Sequence, residues 1–261
     1  METLLLAKLL VTVAVVVALS LMAEYASPRL SGLLAGFPHG VAIVLFFIGV
    51  EQGVDFAAAA AVYTLAGLAA NAGFAWGYWK ALHMIRRMDM PLAPLAALAV
   101  FFALSAIFSR LPLNVWTAAA LALAMIALVG WQVRHEKDVT ISRKVRIGWR
   151  EILARAFGAA AIVVAITAAA RLIGPEWSGL LAGFPVVTFP FLVIIHAEYG
   201  KGPLRTILKA YPTGLGSLAV FALVVSFGYA ALSMVWGTLA GFAAATLWLL
   251  GFQYVRGRLA D

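Results

Sequence analysis

Forty-six consecutive residues, 210–255, carry no charge. As one helix this run would be roughly 70 Å long, against a bilayer core of ~30 Å. It therefore has to cross twice, turning near Leu232–Ser233. A second charge-free run, of 23 residues, separates Arg110 from Arg134. A soluble fold is excluded by the same measure. The chain is 64% hydrophobic and 11% charged, where a globule in water needs about a quarter of its residues charged. The expected fold is an all-helical polytopic membrane protein with nine spans: 3–23, 30–51, 55–79, 91–109, 112–133, 150–172, 177–198, 211–231 and 234–255.

Charge distribution orients these spans. With the N-terminus outside, the segments 24–29, 80–90, 134–150, 199–210 and 256–261 face the cytoplasm and hold 15 of the 19 Lys and Arg residues. Outer connections hold only Arg110 and Arg171. Such a bias is the positive-inside pattern of a bacterial inner-membrane protein, with the C-terminus cytoplasmic. The basic stretch HEKDVTISRKVR then reads as a cytoplasmic loop, and no nucleic-acid partner is expected. The opening METLLLAK starts acidic and lacks a basic leader region, so the first span is expected to be a retained helix.

The octapeptide SGLLAGFP occurs at Ser31–Pro38 and again at Ser178–Pro185, 147 positions on. With the same offset and no gap, Lys8 falls on Arg155, Pro28 on Pro175, Glu51 on Glu198, Gly53 on Gly200 and Gly67 on Gly214. Two units of four spans are expected, residues 1–110 and 150–261, joined by 111–149 with one span and the basic loop. An even number of spans plus one extra helix inserts the second unit upside down. The result is a 4+1+4 inverted repeat, the plan of many secondary transporters.

Each octapeptide is expected to break its helix near mid-membrane. Pro38 lies nine residues past Arg29, or roughly 13 Å of helical rise. Proline removes a backbone donor. The pairs Gly32/Gly36 and Gly179/Gly183 form GxxxG spacings that admit close helix approach. The expectation is that the two broken helices touch through these glycines, and that carbonyls freed before each proline line a shared polar pocket.

The second unit also carries Leu-Val-Ile-Ile-His at 192–196, then Gly200 and Leu204-Arg205-Thr206-Ile207. Together with SGLLAGFP, these residues resemble the GlpM family of small bacterial inner-membrane proteins, which are roughly half this length and include a member regarded as dual-topology. The first unit departs from the pattern, with Gly49 in place of the histidine and no basic start over Asp55–Ala59. The resemblance implies a fused, diverged pair of such units. It lends topology and no substrate.

Ionisable and polar residues within spans are the functional candidates, because burying them is costly. For substrate binding these are Gly36, Phe37, Pro38 and His39, the matching Gly183, Phe184 and Pro185, and the hydrogen-bonding groups Asn71, Thr213 and Ser217. His39 faces Val186 across the repeat, so any site is asymmetric. Lys8, Glu51, Arg155 and Glu198 are the candidates for gating or charge pairing; snorkelling to headgroups is the alternative for the two cations. His196 is expected near an interface, and the tryptophans as an interfacial belt.

Enzyme signatures are missing. The four histidines (39, 83, 135 and 196) lack metal spacing, and no phosphate-binding loop or nucleophile elbow occurs. The chain has no cysteine, so disulfides and thiolate metal sites are excluded. Neither enzymatic activity nor a cofactor or metal is expected. The expected function is a secondary transporter or flippase for a small solute or lipid-linked anion. The alternatives are a non-transporting accessory or scaffold protein of an envelope or lipid pathway, or a small-ion channel. The lipid bilayer and the transported molecule are the expected partners, and a homodimer is left open.

Overall fold

The computed structural model describes residues 2–25, 37–85, 89–136 and 148–258. Positions 31–36 of the first octapeptide, including Gly32 and Gly36, lie outside the described residues, as does most of the basic loop. Among these described residues nine helices follow in order: α1 Glu2–Tyr25, α2 His39–Gln52, α3 Val54–Met84, α4 Asp89–Phe108, α5 Val115–Val133, α6 Trp149–Ala182, α7 Thr188–Tyr199, α8 Lys201–Leu232 and α9 Met234–Arg258. No strand occurs among the described residues. Helices are what an apolar environment demands, since each satisfies its own backbone polar groups. Six of them, α3, α4, α5, α6, α8 and α9, are long and apolar enough to cross a membrane.

The short helices are the informative ones. With 14 residues, α2 spans about 21 Å, and α7 with 12 spans about 18 Å, both short of a bilayer core. The stretch 177–198, expected as one span broken near its proline, is interrupted there. It is the last turns of α6, a non-helical passage over 183–187, and then α7. A second break precedes it inside α6, where Gly174 takes φ 76° and ψ 171° just before Pro175. Ser178, the first residue of the octapeptide, donates its hydroxyl to the Gly174 carbonyl at 2.7 Å, replacing a bond lost at that break.

Both α2 and α7 end on glycine in left-handed backbone. Gly53 has φ 96° and Gly200 has φ 75°, and each N–H bonds the carbonyl four residues back, on Gly49 and His196. Only glycine adopts such a φ without strain, which is why the sequence repeats Gly at this offset. Immediately afterwards α3 and α8 begin at Val54 and Lys201, again 147 apart.

The polar connection expected over 199–210 is corrected: α8 starts at Lys201 and runs through it. Lys201, Arg205 and Lys209 recur every four residues and so share one face. Leu204 and Leu208 are buried on another. Lys201 and Arg205 donate to the carbonyls of Ile85 and Leu82, at 2.8 and 3.3 Å. Cations here satisfy the orphan carbonyls at the C-terminal end of α3.

At the centre stands α3, the most buried of the spanning helices, packed against α2, α4, α5, α6 and α8. Its Ala- and Gly-rich sequence keeps its girth small, so many neighbours approach closely. On the periphery, α5 exposes Trp116 and Trp131. Asn114 caps it by accepting from the Trp116 and Thr117 amides, both at 3.0 Å.

Candidate functional site

The break after α6 is held by α3. Gly183 leaves its carbonyl without a helical partner, because Pro185 ends the helix. Asn71 Nδ2 donates to that carbonyl at 2.9 Å, and Tyr211 Oη donates to Asn71 Oδ1 at 2.9 Å. One carboxamide thus joins α3, α8 and the broken segment. Asn71 is 1% exposed, so its side chain can afford no unpaired group. Asn71→Leu is expected to leave the Gly183 carbonyl unpaired and the Tyr211 hydroxyl with Thr188 alone, and to cost about 1–3 kcal/mol. Thermal unfolding in lipid nanodiscs would measure it; Asn71→Asp, which keeps the acceptor and loses the donor, separates the two bonds.

The expected contact between octapeptide glycines involves Gly32 and Gly36, which lie outside the described residues. Gly179 and Gly183 are seated on α3. A Cβ on Gly183 would lie 2.5 Å from Gly67 C and 2.7 Å from its Cα, and one on Gly67 would lie 2.5 Å from the Leu180 carbonyl oxygen. Along this seam Ala60 meets Gly179 and Gly67 meets Gly183, so the two segments run parallel. By contrast, Arg205 meets Leu82 and Tyr211 meets Asn71, so α3 and α8 run antiparallel.

The start of α2 meets the non-helical passage between α6 and α7. A Cβ on Gly40 would lie 3.7 Å from Val187 Cγ2 and 4.0 Å from Val186 Cβ. His39 stands beside this contact, with Nδ1 buried and lacking a hydrogen-bond partner. The phenylalanines of the two octapeptides pack in different places. Phe184 packs edge-on against Phe74 and Phe101 of α3 and α4, at 6.3 and 5.0 Å between centroids. Phe37 stacks at 5.1 Å on Phe242 of α9, which also contacts Phe221 of α8.

Of the polar candidates on α8, Ser217 is buried but donates to Ala245 O at 3.5 Å, tying α8 to α9 and not to the break. Thr213 is half-buried. Neither is brought to Asn71 by a described hydrogen bond, whereas Tyr211, at the head of the same expected span, is.

The four matched charges form two sites in different states. Lys8 is 3% exposed and donates to Glu51 Oε1 and to Thr167 Oγ1, each at 2.6 Å. Its ammonium thus clamps α1, α2 and α6 together and does not snorkel. The counterpart Arg155 shares a hollow with Glu151, Phe191, Ile194, Ile195, Glu198 and Tyr199. Its guanidinium lies 4.7 Å from the Phe191 ring centre, and its Nε is buried with no hydrogen-bond partner. Glu198 is exposed, and among the described residues no ion pair joins it to Arg155.

A further cluster escaped the sequence reading. His196, expected at an interface, is 4% exposed. Its Nδ1 lies 3.2 Å from Tyr78 Oη and its Nε2 lies 3.0 Å from Asp89 Oδ2. Lys201 Nζ is 3.3 Å from the same carboxylate oxygen. Four helices, α3, α4, α7 and α8, converge there. The signal available in the sequence was the asymmetry itself, a histidine where the first unit has Gly49. Nearby, Trp76 and Trp79 do more than sit in a belt. Their indoles donate to Gln132 and Glu136, at 2.7 and 2.8 Å, fastening α3 to the end of α5.

Groups of side chains able to hold a metal ion are absent among the described residues. Comparison of the chain with family models, characterised proteins and solved structures yields no match.

Proposed function

We propose that the chain is a secondary transporter or flippase of the bacterial inner membrane, built from two inverted halves that rock about the meeting point of their broken helices. In this reading residues 1–110 and 150–261 each cross four times and the helix α5 supplies the ninth span, with the N-terminus outside and the C-terminus in the cytoplasm. The resemblance to a fused GlpM-like pair fits the same plan. Support comes from the matched ends of α2 and α7, the matched starts of α3 and α8, and the helix directions. With inverted halves the third spans run antiparallel, and the third span of one half runs parallel to the broken span of the other.

The observation that carries the reading is the unequal state of the two matched charge pairs. Lys8 and Glu51 are closed at 2.6 Å, while Arg155 and Glu198 flank a hollow without pairing. Two halves of one design, held in different conformations, are what alternating access requires. In the second conformation the roles reverse: Arg155 closes on Glu198 and Lys8 releases Glu51. The cargo that suits Arg155 carries a negative charge, as a small anionic solute or a lipid-linked phosphate.

The test uses bridges. In proteoliposomes loaded with fluorescent short-chain anionic lipids or radiolabelled organic anions, a short bis-thiosulfonate bridge is placed across Lys8→Cys/Glu51→Cys or across Arg155→Cys/Glu198→Cys. The protein has no native cysteine to interfere. A transporter loses flux under either bridge and regains it on reduction. Flux that persists under both bridges, or single-channel conductance, would overturn the reading; indifference of every cargo to the protein would favour a scaffold.

A further inference from the structure

We infer that His196 is a proton-binding site, and that its proton is the ion coupled to movement of α7. The second half of that statement rests on the transporter reading; proton binding itself does not.

The geometry carries the argument. His196 is buried, yet both ring nitrogens have partners of opposite chemical use. In the neutral ring Nε2–H donates to Asp89, and Nδ1 accepts from the Tyr78 hydroxyl. Adding one proton turns the Nδ1 lone pair into an N–H bond. Tyr78 then has to accept, and its own O–H turns toward the interior. Nothing else is gained or lost, and the proton comes from water at Asp89, whose side chain is 22% exposed. The imidazolium and the Asp89 carboxylate form a charge-assisted hydrogen bond, stronger than the neutral one.

Charged and titratable groups surround it on every packed element. These are Tyr78 from α3, Asp89 from α4, Lys201 and Arg205 from α8, and Glu198 and Tyr199 on α7 itself. Arg155 and Glu151 of α6 face the opposite side of α7. Lys201 competes with His196 for Asp89 Oδ2, so protonation of the ring shifts that oxygen toward α7.

Two residues of one short helix thus serve two partners. His196 holds α7 to α3 and α4, and Glu198 is the matched partner of Arg155 on α6. A protonated His196 keeps α7 docked as in this structure, with the Arg155 hollow open. A neutral His196 holds less firmly, and Glu198 closes on Arg155. Proton binding from the cytoplasmic side is thereby linked to which face of the protein is open.

The experiment places spin labels at Leu153→Cys and Ala197→Cys, both exposed, on the protein in nanodiscs, and measures their distance by pulsed electron resonance. The short-distance population is expected to be about a tenth or less at pH 5 and the majority at pH 8. His196→Gln is expected to abolish the dependence. Asp89→Asn is expected to move the crossover to lower pH, and it keeps the assay decisive if the glutamine variant fails to fold. A distribution unchanged between the two pH values, or one that shifts equally in His196→Gln, would overturn the inference. That result leaves the bridging test of transport untouched. Conversely, a pH-driven shift without lock-sensitive flux retains the proton site and removes only its coupling role.

Discussion

Gly179→Val is expected to be among the most damaging single substitutions in this protein, lowering stability by about 3 kcal/mol or more. A Cβ at this position would run into the carbonyl oxygen of Ala60 and lie 2.9 Å from the carbon of that carbonyl. Tyr63 Cβ would be 2.8 Å away. Two of these three neighbours are backbone, and α3 is the helix on which most of the molecule packs. It cannot yield locally. Relief therefore requires the end of α6 to lift off α3, which would also remove Asn71 from Gly183 and Phe184 from its aromatic nest. The measurement is the midpoint of thermal unfolding of purified protein in nanodiscs, with the monodisperse fraction as a second readout. Gly251→Ala is the control: nothing lies within 4 Å of its added Cβ, and no loss is expected. A Gly179→Val protein as stable as that control would show that the seam on α3 is not tight.

Lys8→Met is expected to cost about 3 kcal/mol, and adding Glu51→Gln is expected to restore most of it. Lys8 and Glu51 are largely withdrawn from water, with side-chain exposures of 4% and 22%. Removing the ammonium leaves the Glu51 carboxylate, with a side chain 22% exposed, without its counter-charge. The energy lost is mainly that of the stranded charge, so neutralising it in the double variant recovers stability. A thermodynamic cycle of the two single variants and the double variant reads the coupling directly. The contrast with the other half is the sharper result. Arg155→Met is expected to cost well under 1 kcal/mol, in the range of exposed pairs, because its partner already stands apart. Equal costs at Lys8 and Arg155 would contradict the difference between the two sites, and with it the observation on which the transport reading stands.

Some of this organisation was legible without coordinates. The charge-free runs gave helices, since an apolar chain in lipid satisfies its backbone only within itself. The repeated Gly53 and Gly200 marked two helix ends, because a left-handed turn favours that residue over all others. The pairing of Glu51 with Lys8 is legible too, since two opposite charges inside apolar spans have few other partners. The extension of α8 through Lys201–Lys209 was missed although its signal was present, since three basic residues at four-residue intervals form one helical face. Density of charge alone points to a loop there; the four-residue period points to a helix.

Other features were beyond the sequence. Gly179 and Gly183 announced close packing but not its partner, and among the described residues that partner is α3. Asn71 was one polar residue among several; only packing singled it out by bringing Gly183 and Tyr211 to it, and left Ser217 facing α9. The His196 cluster joins residues 78, 89, 196 and 201, none of which points to the others along the chain. Helix formation and membrane crossing are set by neighbours within a few turns, so composition and spacing determine them. Which helix face meets which depends on how small residues let distant segments approach. That decision belongs to the assembled bundle, and it separates a closed Lys8 pair from an open Arg155 hollow of the same design.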